Sequence, residues 1–170
     1  MTDDVTPTRV LGRDRLLAIL REQGIGDAEA AVDSELDEDI PQVARLLTVA
    51  MLWRRAVDPW RTDPTQLTAW TDGAPTWDVF RDAADALGRA EATGCTREDL
   101  ALIAYRVAAE TLAQTLYWLT GEGRDPTAPD DAPGVALVEL DAEDRPTGRI
   151  VDMLHEDWAL GLDLGGDESP

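Results

Sequence analysis

"TREDLALIAYRVAAETLAQTLYWLTGEG" runs from Thr96 to Gly123, and its reading decides the fold. Thr96 and Asp99 stand three apart, a near-match to a capping box. The run that follows has helical spacing and predicts a helix over 97–119, stopped at Gly121. Its polar stripe is thin: Arg106, Glu110 and Gln114, each four residues from the last. Arg106 and Glu110 can pair along the helix, worth roughly a few tenths of a kcal/mol. A helix apolar on its other sides belongs at the centre of a bundle.

The flanking sequence supplies elements to surround it. "TWDVFRDAADALGRAEATG" offers Thr76 as N-cap, then Trp77, Phe80, Ala84, Leu87 and Glu91 at helical spacing, with Gly94 as the stop. "IPQVARLLTVAMLWRRAV", residues 40–57, aligns Val43, Leu46, Leu47, Ala50, Arg54 and Val57, with Pro41 tolerated in the first turn. "TRVLGRDRLLAILREQG" predicts an amphipathic helix ending at Gly24, and "DAEAAVDSEL" a short one capped by Asp27. The Pro-rich connection between Val57 and Thr76 has room for a short helix near Pro64–Trp70.

The pattern changes towards the C-terminus. "GEGRDPTAPDDAPG", residues 121–134, has the composition of a linker. "VALVEL" (135–140) and "RIVDML" (149–154) are short and apolar, joined by the acidic loop "DAEDRPTG". They predict a β-hairpin, which is marginal alone and must pack on the helices or pair with another edge. The expected fold is mainly α: five or six helices around the 97–119 helix with a small C-terminal hairpin, a helix-dominated α+β arrangement. In domain terms, a helical part (1–120), a linker (121–134), a docked hairpin (135–158) and an acidic tail (159–170) make one domain overall.

Composition narrows the function classes. The 170 residues carry 35 acids against 15 bases, a net charge of -20. All the bases are Arg. Residues 1–39 hold 11 acids and 4 Arg, residues 40–124 hold 11 and 9, and residues 125–170 hold 13 and 2. The excess therefore sits at the two ends. Phosphate backbones and anionic membranes repel such a chain, whereas a basic protein is attracted. Abundant Ala, Arg, Asp, Gly and Pro without Lys also suit a high-GC genome, and a salt-rich cytoplasm selects a similar balance. A single cysteine, Cys95, excludes an intramolecular disulfide framework. The acidic N-terminus is unlike a signal peptide, and no apolar run reaches membrane-spanning length, so a cytoplasmic protein is expected.

"DAEAAVDSELDEDIPQ", Asp27 to Gln42, concentrates the charge question: seven carboxylates by Asp39 and no base. Read as a calcium loop from Asp33, it has Glu38 where the sharp turn needs Gly, and Ala44 where a bidentate Glu is required. Glu35 and Glu38 form an E-x-x-E, as in all-helical nucleotide pyrophosphatases, but no partner motif follows at the expected distance. The rhythm of helices from Leu16 to Leu47 resembles the start of a winged-helix domain in spacing only. Its recognition helix would begin with "DEDIPQVAR", carboxylates where DNA phosphates pass. Asp37–Asp39 are also favourable charge at the N-terminus of the helix that follows.

Catalytic signals are sparse. His155 is the one histidine and Cys95 the one cysteine; no phosphate-binding loop or nucleophile elbow is present. Trp53, Arg54, Arg55, Trp60 and Arg61 form the one basic-aromatic cluster, of the residue types that make interface hot spots. The leading expectation is a non-enzymatic acidic interaction module that binds a basic protein, in the manner of an immunity protein, antitoxin, chaperone or nucleic-acid mimic. Its contact set is Glu35, Asp37, Glu38, Asp39, Trp53, Arg54 and Trp60. No cofactor is implied, and an exposed hairpin edge or Trp offers a homodimer contact. The alternatives are a carboxylate-based metal-dependent hydrolase or small-ligand binder, with Arg106, Glu110 and His155 lining its site and Glu110 its expected buried acid, and a helix-turn-helix regulator.

Overall fold

The computed structural model describes residues 11–67, 78–122 and 135–156. Helix α1 (Arg13–Glu22), α2 (Ala28–Glu38) and α3 (Gln42–Leu52) come first. A π-helical turn, Trp53–Val57, leads into short α4 (Asp58–Thr62) and a 3-10 turn, Pro64–Leu67. Helix α5 (Asp78–Ala92) and the 21-residue α6 (Arg97–Tyr117) follow, with a π-helical turn over Trp118–Glu122. Strands β1 (Leu137–Leu140) and β2 (Pro146–Val151) form an antiparallel hairpin. The protein is a helix-dominated α+β fold with a two-stranded C-terminal hairpin.

Chain contacts divide it into two compact units. The first contains the described residues of 11–51, 113–122 and 135–156; the second contains those of 52–67 and 78–112. The hairpin thus groups with the three N-terminal helices.

In the first unit, Leu16, Leu17 and Leu20 of α1 pack with Ala28, Ala31 and Val32 of α2 and Val43 and Leu46 of α3. The spacing on α1 puts all three leucines on one face, as an amphipathic helix requires. Gly24, at φ 69°, ends α1: its N–H donates to Arg21 O (2.9 Å) and Ile25 N–H to Leu20 O (3.1 Å). These two bonds make a Schellman cap, and Ile25 closes it by packing back on the core. The second unit gathers Leu67, Leu87 and Ala101, with Trp60 and Leu100 packed against them.

Helix α6 departs from expectation. Its capping signal is realised, with Asp99 N–H donating to Thr96 Oγ1 at 3.1 Å. Yet its buried residues are Ala101, Ala109 and Leu116, while Leu102 and Ile103 are each 60% exposed and Val107 is exposed as well. The expected burial on nearly every side is therefore corrected. Ala101 and Ala109 are buried while Leu102, Ile103 and Val107 point to solvent, and among the larger aliphatic residues Leu100 and Leu116 pack inward. The hairpin loop is also shorter than expected: β2 begins at Pro146 and not at Arg149. Thr76 and most of the 121–134 segment and 159–170 tail lie outside the described residues.

Candidate functional site

The acidic segment is built around one buried carboxylate. Glu35 faces inward from α2 and is 6% exposed. Its Oε2 accepts the backbone N–H of Val43 at 2.7 Å. That N–H lies in the first turn of α3, where no intrahelical acceptor exists. A side chain of the preceding helix thus does the work of a cap, and its charge complements the helix dipole. Its Oε1 accepts from Nη2 of Arg149 in β2 at 2.5 Å.

Arg149 is held from several sides. Its Nε lies 3.4 Å from Glu139 Oε2, and its Nη1 lies 3.9 Å from Asp39 Oδ1. Thr147 Oγ1 donates to Glu139 Oε2 at 2.9 Å and accepts Arg149 N–H at 3.2 Å. Further along, Arg45 of α3 is buried and donates to Met153 O at 3.2 Å. Leu154 N–H donates to Thr120 Oγ1 at 3.1 Å. Val151 and Leu154 are buried beside these polar ties. Docking of the hairpin therefore combines two apolar anchors with an ionic network in which Arg149 Nη2 is hydrogen-bonded to Glu35, while the buried Arg149 Nε, 3.4 Å from Glu139 Oε2, makes no hydrogen bond.

The other carboxylates of the stretch remain at the surface. Asp33 pairs with Arg13 at 2.9 Å and Glu29 with Arg21, both in exposed settings. The Arg21 guanidinium and the backbone hydrogen bond hold the Glu29 carboxyl below its ordinary range. Asp37, Glu38 and Asp39 are exposed. Asp39 adopts a left-handed conformation, φ 57°, that ends α2, a geometry Asp tolerates better than most residues.

The remaining expected site residues fall in different settings. Trp53 is 1% exposed and stands edge-on to Tyr105, ring centroids 6.1 Å apart. That places it in the core and not on a contact surface. Arg54 is exposed. Trp60 is half-buried, and its Nε1 donates to Ala56 O at 3.1 Å. Arg61 lies over the Tyr105 ring at 5.9 Å. Arg106 and Glu110 pair with each other on an exposed face of α6, so Glu110 is not a buried acid. His155 is half-buried and meets the Tyr117 ring edge-on at 5.0 Å. Cys95 is exposed, its N–H completing the Schellman cap of α5 at Ala90 O (3.2 Å). Among the described residues, no three His, Cys, Asp or Glu side chains are grouped to hold a metal.

Sequence reasoning missed Arg149 and Glu139. The signal was available: within 125–170 there are only two Arg, and Arg149 is two residues from Val151, so both face the same side of a strand. No helix among the described residues is long and apolar enough to cross a membrane. No family model, curated protein or solved structure matches the chain.

Proposed function

We propose that the chain is a non-enzymatic acidic interaction module that binds a basic protein. The carrying observation is the distribution of charge. Glu35 is the one buried acid among the described residues, and it is neutralised by the chain's own Arg149. The acids of the α2–α3 turn, Asp37, Glu38 and Asp39, stay exposed within a net charge of -20. Such a surface accelerates encounter with a basic partner and repels acidic ones. Arg54 and Trp60, exposed and half-buried, are the hot-spot types in the second unit that suit a contact.

Co-purification at low and high salt, with size-exclusion of the captured species, tests this reading. The expected result is a complex of fixed stoichiometry with a basic protein, weakened by salt and by the pair Asp37→Arg and Glu38→Arg. If no basic protein is retained at low salt, and charge reversal changes nothing, the reading is wrong.

A further inference from the structure

We infer that the outward face of the hairpin is the apolar seat for the basic partner, an inference that rests on the functional reading above. The hairpin is inverted relative to the usual arrangement, in which a two-sided sheet turns its apolar residues to the core. Leu137, Glu139, Thr147, Arg149 and Val151 face inward. Outward point Val138 (41% exposed), Leu140 (53%) and Ile150 (55%). Val138 and Ile150 are direct cross-strand partners, as are Leu140 and Pro146. The side chains within each pair therefore stand side by side, and the two pairs make an apolar strip along the outward face. Between the two pairs sits exposed Gly148, at φ 89°, where an added Cβ would meet nothing within 4 Å. The strip is thus notched at its middle.

Inversion has an identifiable cause. Arg149 must point inward to reach Glu35, and strand alternation then sends Ile150 outward. Alternation alone does not require the outward residues to be apolar, because a solvated face is normally polar. Three large aliphatic residues there match a binding surface better than a solvated one.

Charge selects the occupant. Exposed Glu143 and Asp144 stand at the turn end of the strip, and exposed Asp152 follows β2 at the other end. Arg145 pairs with Asp141 (2.8 Å) and Glu143 (2.9 Å), so the turn's three carboxylates, Asp141, Glu143 and Asp144, outnumber its one base, and Arg149 is turned inward. A second copy of this chain brings another -20 to the same surface, and an anionic membrane brings more of the same sign. The fitting ligand is a polypeptide segment with an apolar centre and Lys or Arg at both ends.

Short labelled peptides serve as probes: an apolar centre with Arg ends, the same centre with Glu ends, and an all-Lys chain. Each is titrated against the intact protein and against the double variant Val138→Thr and Ile150→Thr. Both substitutions lie on exposed strand positions and keep β-branching, and equal melting temperatures verify the fold. The Arg-ended peptide is expected to bind most tightly, losing about tenfold in affinity on the double variant. Equal binding to both proteins, or all-Lys binding as tight as the Arg-ended peptide, overturns the hairpin seat while leaving a basic partner in place. No basic peptide binding at any salt overturns both. A dimer of the intact protein that the double variant abolishes overturns the choice of occupant.

Discussion

Glu35 carries the most structure of any single side chain in the acidic stretch. It caps α3, neutralises Arg149 and so ties the hairpin to the helices. Replacing a buried pair by apolar groups can be neutral, but removing one partner strands the other. Glu35→Ala should therefore cost about 3 kcal/mol, read as a lower denaturant midpoint at constant slope. A change below about 0.5 kcal/mol would show that the contacts seen at Glu35 carry no energy. Asp39→Gly makes the opposite case. The residue is exposed and left-handed, so Gly keeps the backbone geometry and stability should hold or rise by about 0.5 kcal/mol. At this scale the sequence was only partly legible. Charge density picked out the segment, and helical spacing from Ala28, Ala31 and Val32 puts Glu35, unlike Asp37 and Glu38, on the buried face of α2. Its partner Arg149 lies far along the chain, and that pairing was not legible locally.

The hairpin is the element whose chemistry is most explicit. Asp141 Oδ1 accepts from Glu143 N–H (2.9 Å) and Arg145 N–H (3.0 Å), and Asp144 sits at φ 60°. This is a short loop with a left-handed residue near its end. The Arg145 side chain, then its backbone N–H, hold the Asp141 carboxyl below the usual 3.8. A depressed folded value contributes stability that is complete above the unfolded value and lost as pH falls through the folded one. Following the Asp141 carboxyl by NMR should give a midpoint under 3.8; a midpoint at or above it would mean that the loop contacts are not formed in solution. Gly148 tests the bulge in the register between Val138 and Leu140. Gly148→Ala meets no clash but must adopt φ 89°, so a loss of about 1–2 kcal/mol is expected. Gly88→Ala, in the middle of α5 with open space around it, should instead gain up to about 1 kcal/mol. Thermal unfolding of the two variants gives opposite shifts if both assignments are right. Element type was readable here because apolar strand runs and turn residues are local signals. Where β2 begins was not, because Pro146 read as loop, while its place on a hairpin edge leaves no ladder bond to lose.

For the whole molecule, helix content and the C-terminal hairpin follow from periodicity, caps and breakers, all short-range properties. Which faces are buried does not. The thin polar stripe on α6 predicted a central helix, and the protein instead exposes Leu102, Ile103 and Val107. A large share of apolar area normally stays at the surface, so an apolar stripe does not by itself specify a buried face. Grouping of the hairpin with α1–α3 was likewise beyond the sequence, since it depends on pairs such as Glu35–Arg149 and Arg45–Met153 that are distant along the chain. The same pairs frame the proposal: Glu35 serves the fold, and the exposed Asp37, Glu38 and Asp39 are the acids proposed to meet a basic partner. Titration of the captured partner against two variants compares these roles directly. The first is Asp37→Asn with Glu38→Gln and Asp39→Asn, which keeps polar shape and the left-handed tolerance of Asn. The second is Glu35→Gln. The account predicts about a tenfold or larger loss of affinity with unchanged melting temperature for the surface triple. For Glu35→Gln it predicts a lower melting temperature with affinity retained by the folded protein. Unchanged affinity in the triple, or a binding defect in Glu35→Gln without loss of stability, would contradict it.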